Sequence, residues 1–112
     1  MNIFLLEDDS SIVSSLTRWL TGREHIVVST DNLDDAVTIL ESFDFDKGIL
    51  DLNVRQFPGG LSNAKSTELL PYIKFPVCIF SGLPDDAEGF GVPVFSKADP
   101  ISMLAWVESQ DQ

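Results

Sequence analysis

The chain has 112 residues, a length that fits one domain with a hydrophobic core. Its hydrophobic content of 44% argues against a disordered segment, and its net charge of −11 with only seven Lys and Arg argues against binding to nucleic acid or to an anionic membrane. No apolar stretch reaches the length of a membrane span and no signal peptide is recognisable, so a cytoplasmic location is expected. The single cysteine, Cys78, lies in an apolar run and is interpreted as a small buried side chain.

Strand patterns and helix patterns alternate along the chain. The strand patterns are short apolar runs, whereas the helix patterns have apolar residues three and four positions apart. The predicted strands cover residues 3–6, 25–29, 47–50, 77–80 and 92–95, and the predicted helices cover residues 11–21, 33–43, 62–70 and 100–108. This alternation predicts an α/β fold, a doubly wound parallel sheet of five strands with helices on both faces.

Polar residues and prolines mark the expected helix ends. Ser10 is predicted to cap the first helix, and Asn32 or Asp31 the second. Pro71 is expected to end the third helix because it cannot donate a backbone hydrogen bond. Asp99 is predicted to cap the last helix. Residues 82–91 leave room for one or two helical turns at most, so the fourth helix is expected to be short or missing.

Polar side chains stand at the ends of four predicted strands. Glu7 and Asp8 follow the first strand, Asp51 the third, Ser81 the fourth and Lys97 the fifth. The carboxyl edge of an open parallel sheet is where ligands bind, so these side chains are expected to meet there. Two carboxylates about 4 Å apart repel by roughly 4 kcal/mol at an effective dielectric constant of 20. Three such groups therefore favour a bound cation or a raised pKa.

A bound Mg²⁺ ion removes this repulsion and attracts a phosphoryl donor. Asp51 is then placed to attack phosphorus and form an aspartyl phosphate. Lys97 is expected to pair with the transferred phosphoryl oxygens, and Ser81 to donate a hydrogen bond to one of them. Asn53, two residues after Asp51, is placed to offer its backbone carbonyl to the metal. The predicted metal ligands are Glu7, Asp8, Asp51 and Asn53.

This arrangement resembles the receiver domain of two-component response regulators, the chemotaxis-receiver-like fold, over essentially the whole chain, residues 1–112. The resemblance implies a flavodoxin-like three-layer sandwich. By position, the acidic pair is Glu7 and Asp8, the phosphoacceptor Asp51, the switch hydroxyl Ser81 and the active-site lysine Lys97.

Two further positions match the family. Asp9 corresponds to the residue after the acidic pair, which is usually not a direct metal ligand. Gly59 corresponds to the glycine that follows the phosphoacceptor loop.

The chain also departs from the family pattern. Ala98 follows Lys97, where the family usually has a proline. Val94 stands where a switch aromatic is common, and the neighbouring Phe95 is expected to face the other side of the sheet. The segment from Ser81 to Lys97 is shorter than usual. In this respect the chain is similar to compact stand-alone and kinase-attached receivers that lack a DNA-binding output.

The resemblance implies transfer of a phosphoryl group from the phosphohistidine of a histidine kinase or phosphotransfer protein to Asp51, with Mg²⁺ as cofactor. The chain is then not an enzyme beyond its own phosphorylation and dephosphorylation. Its output is expected to be protein binding, or the draining of phosphoryl groups from a shared kinase. Arg18 and Trp19 on the first helix, and the loop after Lys97, are candidate kinase-docking surfaces.

Two alternatives come from other classes of protein. A pseudo-receiver has the same fold but signals by constitutive protein contact without phosphotransfer. A haloacid-dehalogenase-like phosphatase also uses a nucleophilic Asp, but it needs a second Asp two residues later as general acid. Asn53 occupies that position here and cannot perform this role.

Overall fold

The structure is a computed structural model that describes residues 1–60 and 63–109. Within these residues the predicted alternation is present, with two additional short strands after the third. The strands are β1 Asn2–Leu6, β2 Ile26–Thr30, β3 Lys47–Leu50, β4 Asn53–Arg55, β5 Asn63–Lys65, β6 Val77–Ser81 and β7 Val94–Ser96. The α-helices are α1 Ser10–Gly22, α2 Leu33–Ser42 and α3 Pro100–Glu108, and the two 3₁₀ helices are Ser66–Tyr72 and Pro84–Ala87.

Five strands form one parallel sheet in the order β2-β1-β3-β6-β7. This order is that of flavodoxin-like sheets and confirms the predicted doubly wound five-stranded fold. Leu6 at the end of β1 lies between Thr30 of β2 and Leu50 of β3. The direction of winding reverses between β1 and β3, so their carboxyl ends meet where such sheets bind ligands.

Each face of the sheet has its own hydrophobic core, because helices cover both faces. Cys78 lies in the core beneath α1 and α3, as predicted, and burial raises the pKa of its thiol. The core beneath α1 and α3 contains Ile3, Leu5, Leu16, Leu20, Ile49, Cys78, Phe80, Met103 and Val107. The core beneath α2 and the first 3₁₀ helix contains Phe4, Leu6, Leu33, Ala36, Phe45, Leu50, Val54, Leu69 and Val77.

The helix caps agree with two of the three predictions. Asn32, one of the two expected candidates, caps α2, and Asp99 caps α3. The prediction that Ser10 caps α1 is wrong, because Ser10 is already helical. The cap is Asp9, which has an extended backbone and a carboxylate that accepts the Ser11 N–H at 2.9 Å.

The prediction of a third helix at residues 62–70 is wrong in type and position. Residue 62 lies outside the described residues, and the segment that follows it, β5, pairs antiparallel with β4. The next element is the 3₁₀ helix Ser66–Tyr72, which contains Pro71 rather than ending before it. The β4–β5 hairpin takes up residues 63–65, which were predicted to form the first turn of this helix. Pro71 lacks the N–H needed to extend an α-helix, so only a short 3₁₀ segment remains.

The connection between β6 and β7 holds a single 3₁₀ turn, Pro84–Ala87, which confirms that the fourth helix is stunted. The last strand of the sheet spans Val94–Ser96 and so begins two residues later than predicted. Among the described residues, no helix combines the length and apolar character needed to cross a membrane.

Candidate functional site

The acidic residues after β1 are held by the backbone of their own turn. Glu7 is buried, and its Oε2 accepts the N–H groups of Asp8 (3.0 Å) and Asp9 (3.2 Å). The Glu7 N–H donates to the Thr30 carbonyl, which keeps this turn against β2. The Asp9 carboxylate accepts hydrogen bonds from the hydroxyl and N–H of Ser11, which lower the pKa of Asp9. Asp9 thus caps α1, whereas Glu7 and Asp8 face the carboxyl edge of the sheet.

Asp51 lies beside this turn at the end of β3. Its N–H donates to the Leu6 carbonyl at 2.8 Å, so the ends of β1 and β3 are level. The Asp51 side chain is only 10% exposed. The Lys97 Nζ lies 3.2 Å from Asp51 Oδ1 and 3.0 Å from Glu7 Oε1. One amine therefore bridges two buried carboxylates that come from different strands.

The charges in this cluster do not balance. Burial and the neighbouring Glu7 carboxylate raise the pKa of Asp51 to about 7, and Lys97 offsets these effects only in part. Burial lowers the pKa of Lys97, but its hydrogen bond to Glu7 and the charge of Asp51 outweigh burial and raise it overall. Additional positive charge at this point would favour the ionised form of Asp51.

Three carboxylates converge at this edge. Glu7, Asp8 and Asp51 each place one oxygen within 4.8 Å of the others. Carboxylates together with phosphate oxygens and water are the ligands that Mg²⁺ prefers. The donor atoms and the excess of negative charge therefore fit a divalent cation.

Asn53, the fourth predicted ligand, is the first residue of β4 and lies opposite Lys65. The preceding residue, Leu52, accepts the Ser66 N–H at 2.8 Å through its carbonyl. Hydrogen-bonded and non-bonded positions alternate along an antiparallel ladder, so the Asn53 carbonyl is directed away from β5. The Asn53 carbonyl is therefore not used by the hydrogen bonds between β4 and β5.

Ser81 is buried at the end of β6 and connects two loops. Its hydroxyl accepts the Leu83 N–H at 3.0 Å, and its carbonyl accepts the Lys97 N–H at 2.9 Å. Ser81 therefore contacts both the following loop and the backbone of the site lysine.

The loop after Lys97 is closed without a proline. The Ala98 N–H donates to the Ser96 hydroxyl at 3.1 Å, and the Asp99 N–H donates to the Ser96 carbonyl at 2.9 Å. A proline at position 98 would lack the first of these donors. Ser96 was not among the residues predicted from the sequence, although a serine that begins a turn commonly accepts the N–H two residues later. This turn lets the Lys97 amine reach Asp51 despite the departure from the family pattern.

Val94, where the family commonly has a switch aromatic, and the neighbouring Phe95 point to opposite faces of the sheet, as predicted. Phe95 packs with the core beneath α1 and α3, with its ring centroid 6.3 Å from that of Trp106. Val94 instead packs with Leu52 and Ile79 on the other face.

The remaining candidates lie at the surface. Gly59 is exposed in the loop between β4 and β5 and has a φ of 68°, a conformation that favours glycine. Arg18 is exposed on α1, and Trp19 is 36% exposed with the Arg23 guanidinium 5.0 Å from its ring centroid. None of these three contributes to the acidic cluster.

No family model matches the chain. Curated relatives include the cell cycle response regulator CtrA of Brucella ovis and of Brucella abortus, each 31% identical over 94 residues. The match covers 81% of this chain and 40% of the relative, so the chain spans about two fifths of the length of the curated relatives it matches.

Solved structures agree with this relationship. The receiver domain of the hybrid histidine kinase CckA is 26% identical with a TM-score of 0.71, over 96% of this chain and 94% of that one. A response regulator protein from Burkholderia pseudomallei, with a phosphorylated aspartic acid and a calcium ion, is 21% identical with a TM-score of 0.75, over 96% of this chain and 66% of that one. With the sheet order and the strand-end acids described above, these likenesses show that the chain has the fold of response-regulator receiver domains and resembles them in sequence.

Proposed function

We propose that this receiver domain accepts a phosphoryl group on Asp51 from a phosphohistidine of a histidine kinase or a phosphotransfer protein. The observation that carries the proposal is the buried Asp51 carboxylate, with the Lys97 amine 3.2 Å away and oxygens of Glu7 and Asp8 within 4.8 Å. The solved structure of the Burkholderia response regulator, which holds a phosphorylated aspartic acid, supports the same chemistry.

In the proposed step, an Asp51 oxygen forms a bond to phosphorus while the phosphorus–nitrogen bond of the donor histidine breaks. The bonding electron pair returns to the imidazole nitrogen. Lys97 is positioned to pair with the transferred phosphoryl oxygens, since it already contacts an Asp51 oxygen. Glu7 holds the other side of the amine and so keeps it at this edge of the sheet.

We further propose Mg²⁺ as the cofactor, held by Glu7, Asp8, Asp51 and the Asn53 carbonyl. The ion supplies positive charge that offsets the carboxylates and the phosphoryl oxygens. The converging carboxylates and the raised pKa of Asp51 support a divalent cation, and the calcium ion in the Burkholderia structure is consistent with one.

The proposed kinase-docking surface is α1 together with the loop after Lys97. An apolar depression of about 190 Å³ lies between these elements and is lined by Ile12, Leu16, Phe80 and Pro100. Lys97 also borders it, so a partner seated there would stand next to the phosphoacceptor site.

The proposed output is binding to another protein. Once the Ser81 hydroxyl turns toward the phosphoryl group, it no longer accepts the Leu83 N–H, and the loop that begins at Gly82 is free to rearrange. We propose that residues 1–112 act as one cytoplasmic receiver domain that binds no nucleic acid directly and is not a turnover enzyme. Asn53, in place of the second Asp that a haloacid-dehalogenase-like phosphatase requires, supports that last point.

The test is intact-protein mass spectrometry after incubation with acetyl phosphate, with and without Mg²⁺. We expect the wild type to gain one phosphoryl group only with Mg²⁺, and Asp51→Asn to gain none. Asp86→Asn, an exposed acid after β6, is the matched control and should be phosphorylated like the wild type. An unmodified wild type that also binds no Mg²⁺ would favour the pseudo-receiver, and a phosphorylated Asp51→Asn variant would assign the phosphoacceptor elsewhere.

A further inference from the structure

An aromatic groove of about 540 Å³ opens at the amino-terminal edge of the sheet, away from Asp51. Six apolar residues line it: Leu40, Phe43, Phe45, Pro71, Tyr72 and Phe75. They come from the end of α2, the segment before β3, the first 3₁₀ helix and the segment before β6. Phe45, before β3, and Asp51, after it, are six positions apart, a distance of roughly 15–20 Å in an extended chain.

The floor of the groove is buried and its rim is exposed. Phe45 is buried, with its ring centroid 5.4 Å from that of Phe4 and 5.6 Å from that of Phe75. Phe43, whose centroid is 6.4 Å from that of Phe45, is 55% exposed, and Tyr72 is 58% exposed. Large exposed aromatic side chains around an apolar depression are typical of protein-interaction sites.

The charges around the groove favour a cationic partner. Glu41 and Asp44 line it and are exposed, and no salt bridge in the described part of the chain involves either of them. Lys74 is the cation among the described lining residues. The chain as a whole carries a net charge of −11, so a basic partner is attracted over a longer range as well.

We propose that this groove binds a basic segment of another protein, which places an aromatic or large aliphatic side chain between Phe43 and Tyr72 and a Lys or Arg beside Glu41 and Asp44. The inference goes beyond phosphotransfer, because the groove lies at the opposite edge of the sheet from Asp51. Binding is therefore expected in the unphosphorylated protein and in Asp51→Asn alike.

The test is a titration of ¹⁵N-labelled protein with synthetic peptides, followed by amide chemical shifts. The probe is the blocked hexapeptide Lys-Lys-Trp-Leu-Lys-Lys, compared with Glu-Glu-Trp-Leu-Glu-Glu and with Lys-Lys-Ser-Ser-Lys-Lys. We expect saturable shifts at residues 40–45 and 71–75 with the first peptide only. These amides should not shift on dilution of the free protein.

Surface variants test the two parts of the groove separately. Phe43→Ser and Tyr72→Ser should each weaken binding of the first peptide at least fivefold, whereas Phe57→Ser should not, because Phe57 is 54% exposed in the loop after β4. Asp44→Lys should weaken binding to a similar degree, and Asp86→Lys should leave it unchanged.

Several outcomes would overturn the proposal. Equal shifts with the serine-containing peptide would mean a general attraction of basic peptides, and equal shifts with the acidic peptide would remove the role of charge. Shifts on dilution would assign the groove to a second copy of this chain. Loss of peptide binding in Asp51→Asn would place the contact at the phosphoacceptor edge, whereas failure of acetyl phosphate labelling alone would leave the groove proposal intact.

Discussion

Asp51 is held in surroundings that are unfavourable for its ionised form when no cation is bound. It is buried and lies beside the Glu7 carboxylate, so its pKa is raised from 3.8 to about 7, and the nearby Lys97 amine offsets this only in part. Well below pH 3.8 the group is protonated in both the folded and the unfolded chain and has no effect on stability. Above pH 7 it is ionised in both, and the folded state bears a cost of up to about 4 kcal/mol.

Replacing Asp51 by Asn should therefore stabilise the metal-free protein at high pH. We expect the free energy of unfolding of Asp51→Asn to exceed that of the wild type at pH 8 in the presence of a chelator. The difference should shrink as pH falls through 7 and disappear well below pH 3.8, because the wild-type carboxyl is then neutral in both the folded and the unfolded chain. Urea denaturation across this pH range measures the difference.

The control for this comparison is Asp86→Asn, because Asp86 is an exposed acid outside the cluster. Its stability relative to the wild type should vary little with pH. If Asp51→Asn is instead less stable than the wild type at pH 8, the three acids do not repel one another as their positions indicate.

Gly48 is a residue whose small size is required by packing in the centre of the sheet. A Cβ atom there would lie 2.8 Å from Val77 Cγ1 and 3.0 Å from Phe75 Cε1. We expect Gly48→Ala to lower the free energy of unfolding by about 1–3 kcal/mol, the usual cost of overpacking a core. Thermal denaturation of Gly22→Ala is the control, because a Cβ at that position would meet no atom within 4 Å beyond its chain neighbours and the backbone of its own helix. Gly22→Ala should be neutral or slightly stabilising, and an equal loss in both variants would contradict the packing argument.

At the scale of elements, the carboxyl end of α3 is held by a side chain from β3. The buried Lys47 donates through Nζ to the carbonyls of Trp106 and Ser109, both at 2.7 Å, and its Nζ lies 4.8 Å from the Trp106 ring centroid. α3 has no basic residue in its last turn, so Lys47 supplies the positive charge that favours a helix carboxyl end.

We expect Lys47→Met to loosen α3. Loss of two charge-assisted hydrogen bonds should lower the free energy of unfolding by about 2 kcal/mol and speed amide exchange in Pro100–Glu108 more than in α1. Lys65→Met, which removes an exposed lysine from β5, should change neither quantity by much. Equal amide exchange rates for α3 in Lys47→Met and in the wild type would mean that the Lys47 hydrogen bonds do not hold α3.

At the scale of the whole molecule, charge is the dominant feature. The chain has eighteen acidic residues but only seven Lys and Arg, and the acids Glu7, Asp8 and Asp51 lie together at the carboxyl edge of the sheet. Such an excess of one sign disfavours the compact state through repulsion, and salt reduces that repulsion.

The melting temperature should therefore rise with NaCl, and it should rise further with MgCl₂ at equal ionic strength. The additional rise comes from binding to the folded state alone and should increase with the logarithm of Mg²⁺ concentration. Asp51→Asn, which removes one of the proposed ligands, should lose most of this additional rise while keeping the response to NaCl. Identical melting temperatures in NaCl and MgCl₂ would contradict a specific cation site.

The sequence by itself determined the alternation of strands and helices, two of the three predicted caps, the stunted fourth helix and the strand-end positions of the site residues. These features follow from local rules, since apolar spacing and chain direction decide which residues reach the carboxyl edge of a parallel sheet. The convergence of Glu7, Asp8 and Asp51 was therefore predictable before any distance was known.

Only the tertiary structure decided the features that depend on contacts between distant segments. The β4–β5 hairpin displaced the third helix, and Ser96 closed the loop after Lys97 in place of a proline. The pKa of Asp51 and the burial of Lys47 likewise depend on neighbours 40 or more residues away in the chain. Desolvation and pair distances are set by the packed fold as a whole, and no local pattern of residues encodes them.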